Sequence, residues 1–285
     1  MGLEFVPNGG QLIKDSIKVD KVMHYGKNKF QEIFIGHSPL LGMFLALDGI
    51  VQSSEYDCHV YHETIVHPAM LSLKNPKNVL IIGGGEGTTA EEITKHYKEV
   101  KIDFVEIDEE VIRLSRRYLP YAPKKFDSNV NLVIGDGLRF LKNSKKKYDL
   151  IIGDLTDIFD GDSLSREIFT DKFGRLVKSK LTEQGMYVTL ACGFDMGNGG
   201  YVLRPKYLTD NFPIVRPMCY YMPSFKIQMA MVIASKKYDP AKLSKEEVAE
   251  KIKPMRKKLK FYNENVHCAI FDKSYHAFID DATYG

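Results

Sequence analysis

Cysteine is scarce in this chain. Cys58, Cys192, Cys219 and Cys268 are the four it has in 285 residues, and no two form a Cys-x-x-Cys pair. No disulfide framework is legible, and the usage fits a reducing compartment. No apolar run reaches membrane-spanning length, and the N-terminus lacks the apolar core of a signal peptide, so the chain is expected in the cytoplasm. A surplus of charge is missing too. Lys and Arg number 40 against 37 Asp and Glu, a formal net charge of +3, and the lysines are scattered. That argues against a nucleic-acid partner, and Lys145–Lys147, which precedes a strand, reads as a solvated loop. Internal repeats and low-complexity stretches are absent. With 44% apolar residues the chain is ordinary globular protein, long enough for one large domain and a small one.

One absent glycine carries information. Lys77–Gly87 reads Lys-Asn-Val-Leu-Ile-Ile-Gly-Gly-Gly-Glu-Gly. Val79–Ile82 has the continuous apolar character of a strand buried on both faces of a parallel sheet. It runs into Gly83, Gly84, Gly85 and Gly87, and a helical pattern follows with Ala90, Ile93 and Tyr97 on one face. A strand, a glycine turn and a helix N-terminus make a nucleotide pocket, with glycine admitting the ligand's close approach. The dinucleotide pattern would need glycine at Thr88. Its absence moves the expectation from a nicotinamide cofactor to an adenosyl-sulfonium compound.

The rest of the chain falls into place around that turn. Residues 1–60 read as short antiparallel strands with turns at Gly26-Lys27-Asn28 and Asp48-Gly49, a small β domain. Ser54 to Met70 changes to a helical period, with Tyr56, Val60, Glu63 and His67 on one stripe and Pro68 as a kink or stop. From 61 to 285 the chain is expected to form the second, larger domain. Strands at Lys101–Ile107, Val130–Ile134, Tyr148–Gly153 and Gly185–Ala191 alternate with helices at Glu109–Tyr118, from Leu138 and at Glu167–Leu181. Such repeats build an α/β, Rossmann-like, doubly wound and mostly parallel sheet. An apolar strand within Tyr220–Ala234 and a charged helix over Leu243–Lys257 complete the reading.

Four successive strand ends carry an acid: Glu86, Glu106, Asp136, and the pair Asp154 and Asp157. Ligands bind at that edge of such a sheet. A carboxylate at Glu106 suits a ribose diol, and one at Asp136 an adenine amino group. With Asp160 and Asp162 the acids make a negative mouth, which concentrates cations and points to a polyamine or another multiply charged amine. His59, His62 and His67 lie close in sequence, but no accompanying Asp, Glu or Cys set supports a metal, and none is expected. A methyltransferase using S-adenosylmethionine, and a non-catalytic paralogue that binds polyamines or nucleosides, remain compatible with these features.

Gly-Gly-Gly-Glu-Gly, Glu-Ile-Asp, Gly-Asp-Gly and Asp-Leu-Thr-Asp follow Leu-Asp-Gly-Ile-Val-Gln-Ser-Ser-Glu-Tyr-Asp and Tyr-His-Glu. In that order they resemble the spermidine synthase family of aminopropyltransferases, from about Lys27 to Ser235. The resemblance implies aminopropyl transfer from decarboxylated S-adenosylmethionine, a co-substrate and not a resident cofactor, to an amine such as putrescine, agmatine, spermidine or a longer polyamine. It implies release of methylthioadenosine and assembly as dimers or tetramers. On the donor side it implies Gln31, Gln52, Gly83, Gly85, Gly87 and Glu86, with Glu106 on the ribose and Asp136 and Gly137 at the adenine. On the acceptor side it implies Tyr61, His62, Asp157 and Met222, with Asp154 as general base and Tyr61 assisting. The chain departs from the common pattern at His62, at Ile158 and at Met222-Pro223-Ser224. These departures resemble the thermospermine synthase and agmatine aminopropyltransferase branches and imply an acceptor larger than putrescine.

Overall fold

The computed structural model describes residues 3–5, 16–155, 167, 170–191 and 205–272. Two short strands, β1 (Leu3–Phe5) and β2 (Ile17–Val19), pair antiparallel. A four-stranded antiparallel sheet follows: β3 (Lys21–Lys27), β4 (Glu32–Ser38), β5 (Gly42–Leu47) and β6 (Ile50–Ser54). The expected Asp48-Gly49 hairpin joins the last two, and both its residues have positive φ, 49° and 80°. Alternation gives each strand two faces. Ile33, Ile35, Leu45 and Leu47 pack on Val111, Leu114 and Leu119, whereas Phe34, Phe44 and Ala46 join Val19 and Val51 on the other face.

Helix α1 (Cys58–Ser72) leads into the larger sheet. Only His59 and Tyr61 of its 15 residues are not fully buried. It begins later than the periodicity predicts because Ser54 still pairs with Phe44 in the sheet. Nor does Pro68 end it: the helix runs four residues further, and Ser72 Oγ donates to the Pro68 carbonyl at 2.7 Å.

The remaining elements are β7 (Asn78–Gly83), α2 (Thr88–His96), β8 (Lys101–Glu106), α3 (Glu109–Tyr118), β9 (Val130–Ile134), α4 (Gly137–Asn143) and β10 (Tyr148–Asp154). After them come α5 (Asp171–Lys180), β11 (Leu181–Leu190), α6 (Lys206–Thr209), β12 (Ile214–Met222), β13 (Ile227–Ser235), α7 (Lys245–Ile252) and α8 (Glu264–Phe271). The large sheet has the order β12-β13-β11-β10-β7-β8-β9. Strands β11 to β9 in that order are mutually parallel, and β13 and β12 add an antiparallel edge. Alternate residues feed separate cores: Val79, Ile81, Leu150 and Ile152 enter one, Leu80, Ile82 and Ile151 the other. That is why these strands read as unbroken apolar runs.

Several boundaries differ from the sequence expectation. Thr170 caps α5, accepting from Phe173 N–H, so that helix begins at Asp171. The single strand expected in Tyr220–Ala234 is a hairpin, β12 and β13, turned at Pro223–Lys226 with Lys226 at φ 56°. Helix α8 carries its own cap in Asn263, an N-terminal signal the periodicity reading passed over.

Glu63 ties the C-terminal segment to α1. It is 2% exposed, and its carboxylate accepts the backbone N–H groups of Lys260, Phe261 and Tyr262 at 2.8, 2.9 and 2.6 Å. Three charge-assisted bonds to a buried carboxylate are costly to remove, the Tyr262 N–H among them being itself buried. Glu63→Ala is expected to lower stability by about 3 kcal/mol in urea unfolding; a change near zero would mean that this segment is held by other contacts.

Candidate active site

The site grows from the point where the sheet changes winding direction, between β7 and β10. The chain leaves these neighbouring parallel strands toward opposite sides of the sheet, which opens a crevice at their carboxyl ends. Gly83 sits directly opposite Asp154 in the register. A Cβ on Gly83 would lie 2.2 Å from the Asp154 carbonyl oxygen, and one on Gly84 2.3 Å from Asp154 Oδ2. Both residues also have positive φ, 82° and 74°. At these two positions the missing side chains make room for β10. Gly85 lies against Val111 and Glu106, and Gly87 caps α2 in the left-handed region.

The side chains around this crevice form one continuous hydrogen-bonded line. Tyr61 Oη donates to Asp154 Oδ1 at 2.7 Å, and Thr89 Oγ1 donates to Asp154 Oδ2 at 2.6 Å. His62 Nδ1 lies 3.1 Å from Thr89 Oγ1, and His62 Nε2 lies 3.0 Å from Glu86 Oε1. Ser53 Oγ donates to Glu86 Oε2 at 3.1 Å and pairs with Tyr121 Oη at 2.8 Å. Helix geometry explains how adjacent residues serve different partners. Successive side chains on α1 point about 100° apart, so Tyr61 reaches β10, His62 reaches α2 and its turn, and Glu63 reaches the C-terminal segment.

Protonation follows from the line. Burial pushes the Asp154 carboxyl up, against the nearby His62 charge and the bonds from Thr89 and Tyr61. Burial alone would pull His62 down. The hydrogen bond and charge of Glu86, with Asp154 and Glu92 behind, outweigh it and leave His62 raised. The geometry agrees, since Thr89 spends its one hydrogen on Asp154, so a bond from His62 needs a hydrogen on Nδ1. Burial, then the charge of Asp154, holds the Tyr61 phenol far above its usual range, so it remains a donor.

The other expected residues are distributed around the same edge. Glu106 ends β8 and accepts the Asp108 N–H at 2.8 Å. Burial raises its carboxyl to about 7, with the charge of Asp108 acting the same way. Gln31 reaches the next acid along, donating to Asp108 Oδ2 at 2.9 Å. Asp136 Oδ1 caps α4 through the N–H groups of Leu138 and Arg139, and Gly137 packs against Ile82. Gln52 donates to the Ile50 carbonyl within its own strand. Met222 is fully buried at the end of β12. Beside it, the Ser224 N–H donates to Asp57, which also accepts from Ser54, so one buried acid joins β6, α1 and the β12–β13 turn. Asp157, Asp160, Asp162 and the glycine-rich stretch 193–200 lie outside the described residues.

The histidine reading needs one correction. Glu92 and His96 of α2 join His67 in a group whose ligand atoms lie within 4.8 Å of one another. His67 Nε2 and His96 Nε2 stand 2.9 and 3.2 Å from Glu92 Oε1, and Lys95 stands 3.4 Å from Oε2. Burial acts to raise Glu92, but these cationic and hydrogen-bonding neighbours hold it far below the usual carboxylate range. The i, i+4 spacing of Glu92 and His96 was the signal that could have shown the set.

Residues 58–245 match the spermine/spermidine synthase domain, and residues 10–55 the spermidine synthase tetramerisation domain. The chain belongs to the spermine/spermidine synthase family. It is 38% identical over 267 residues to polyamine aminopropyltransferase 2 of Hyperthermus butylicus, covering 93% of this chain and 86% of that protein. It is 36% identical to the polyamine aminopropyltransferase of Pyrobaculum calidifontis, covering 91% of each. A spermidine synthase solved in complex with the transition-state analogue AdoDATO superposes with a TM-score of 0.85 at 31% identity, over 97% of this chain and 96% of the other. The spermidine synthase of Thermotoga maritima gives 0.81 at 32% identity, over 95% and 90%.

Within this synthase-family chain, Thr89, Ser53 and Tyr121 were missing from the sequence reading. Ser53 lies in the Gln-Ser-Ser stretch, but that stretch does not say which acid it meets; all three join the acids only through the fold. Gly84→Ala tests the packing at the crevice. The clash with Asp154 Oδ2 and the positive φ should together cost about 2 kcal/mol or more, read as a fall in Tm. An unchanged Tm would show that β10 moves aside freely.

Proposed function

We propose that this chain transfers the aminopropyl group of decarboxylated S-adenosylmethionine to an amine and releases methylthioadenosine. The observation that carries the reading is the Tyr61–Asp154 pair, set beside Glu86 at the crevice between β7 and β10. The propyl carbon next to sulfur is attacked in line by an amine nitrogen. An alkylamine of pKa about 10 is mostly protonated at neutral pH and cannot attack. Asp154 accepts its proton, and Tyr61 holds the carboxylate in place. Glu86 holds the donor's terminal ammonium, and its negative charge disfavours a donor tail that keeps its carboxylate. Glu106 holds the ribose diol, with Gln31 steadying the adjoining loop through Asp108. Asp136 and Gly137 flank the adenine, and Gln52 lies near the donor's tail. The two cationic substrates repel each other, so much of the rate comes from holding them together among carboxylates.

The acceptor is a long amine such as agmatine or spermidine. Met222 stands where the family's putrescine-site tyrosine stands, and Asp157 is assigned to anchor the far end of the amine. Exposed Val22, Tyr25, Phe30 and Leu40 in the first third of the chain support assembly as dimers or tetramers.

Incubation with decarboxylated S-adenosylmethionine and a panel of amines tests the reaction by product mass. Methylthioadenosine with an aminopropylated long amine is the expected result. S-adenosylhomocysteine from S-adenosylmethionine would make it a methyltransferase, and a clear preference for putrescine would remove the long-amine assignment. Asp154→Asn should lose activity on the order of 100-fold while donor binding survives; wild-type turnover would take Asp154 out of the mechanism.

Glu106 makes donor-site binding sensitive to pH. Diol hydroxyls donate to its ionised form, so binding is tightest above its raised pKa of about 7 and weakens as pH falls through it. Methylthioadenosine affinity by calorimetry should fall about tenfold per pH unit below that point. A flat profile would show that Glu106 does not hold the diol.

A further inference from the structure

His62 and Thr89 lie between Asp154 and Glu86 in the crevice. His62 is 2% exposed and Thr89 1%, so water does not compete for their hydrogens. Together they join Asp154 Oδ2 to Glu86 Oε1 by three contacts of 2.6, 3.1 and 3.0 Å. A single carboxylate is a poor final acceptor for an alkylammonium proton. With ordinary pKa values near about 10 and about 4, the transfer is uphill by about six orders of magnitude. An imidazole as final acceptor removes roughly two to three of them.

We propose that His62 and Thr89 form a proton relay behind Asp154, through which the proton taken from the acceptor amine comes to rest on the His62 imidazole. The proposal rests on the aminopropyltransferase reading above. Its starting state is reached above the His62 titration: Asp154 is ionised, His62 has lost its Nδ1 hydrogen and keeps the one on Nε2 toward Glu86, and the Thr89 hydroxyl turns its hydrogen to Nδ1. The amine N–H bond breaks as an O–H bond forms on Asp154 Oδ2, and that hydrogen turns toward Thr89. Thr89 Oγ1 takes it and gives its own hydroxyl hydrogen to His62 Nδ1. The net change is one ammonium made neutral and one imidazole made cationic, with Thr89 and Asp154 restored. The cation so formed lies between Glu86 and Asp154, which stabilise it.

The groups around His62 allow this storage. Glu86 faces it from the turn after β7, Glu92 from α2 and Asp154 from β10, and all three favour its cationic form. On its own helix the Tyr61 ring stands edge-on at 5.2 Å, Glu63 adjoins His62 in sequence with its carboxylate on the C-terminal segment, and His59 lies three residues earlier. Below its own pKa His62 already holds a proton and cannot take another. The rate in the wild type therefore declines as pH falls through the His62 titration.

Thr89→Val removes the hydroxyl and keeps the shape, leaving the His62–Glu86 contact in place. Pre-steady-state turnover with decarboxylated S-adenosylmethionine and agmatine should fall about 10- to 100-fold at alkaline pH. Donor KM should stay within about threefold, and the acidic limb of the rate profile should move to lower pH. Thr89→Ser should recover most of the rate and restore the wild-type limb. An unmoved limb in Thr89→Val, or a full rate, would overturn the relay. If the wild type forms no methylthioadenosine with any amine, the aminopropyltransferase reading itself has failed. The relay is then judged by 15N NMR of the imidazole. Asp154→Asn should shift the His62 titration clearly in the Thr89 protein and much less in Thr89→Val; equal shifts would overturn it.

Discussion

The parallel pairing of β7 with β10 sets Gly83 opposite Asp154, with no space between the two chains for a side chain on Gly83 or Gly84. The turn carrying Glu86 is thereby pressed against the end of the strand carrying Asp154. Two carboxylates that would repel each other are brought to one crevice by backbone pairing and by the apolar packing of Leu80, Ile82 and Ile151 beneath it. The fold imposes the arrangement, and the polar side chains then make it tolerable.

They do so by leaving few hydrogen-bond positions empty. Asp154 receives Tyr61 and Thr89, Glu86 receives Ser53 and faces His62, and Glu106 receives the Asp108 N–H. A buried carboxylate without such partners would take up a proton and lose its charge. Glu106, buried and with the charge of Asp108 nearby, moves in that direction and reaches about 7. Glu92 goes the other way because His67, His96 and Lys95 surround it. The same residue type thus spans a wide range of behaviour according to what stands beside it.

Helix α1 is the element that connects the parts. It follows the antiparallel sheet directly, is almost wholly buried, and delivers Tyr61, His62 and Glu63 to three different structures. Its burial on every side is why a search for an amphipathic stripe describes it poorly. A mutation along it has consequences in several places: Glu63 acts on stability through residues 260–262, Tyr61 and His62 on the crevice.

The order of strands and helices, the doubly wound sheet and the acids at the strand ends were legible in local pattern. Apolar runs such as Val79–Ile82, short and ending in glycines, fit a strand covered on both faces, and motif order gave the family away. Boundaries at Ser54, Thr170 and the β12–β13 turn were less legible, because capping and cross-strand pairing decide them. Thr89 and Ser53 were not legible as site residues: each sits beside a motif, but the acid each one bonds is 65 or 33 residues away in the chain. The sequence by itself determined which chemical groups are present and which strand ends carry them. Only the tertiary structure decided that Asp154, Thr89, His62 and Glu86 share hydrogens. Such bonds require donor and acceptor within about 3 Å, and residues 24 to 65 positions apart reach that distance only when α1, α2 and β10 are packed together.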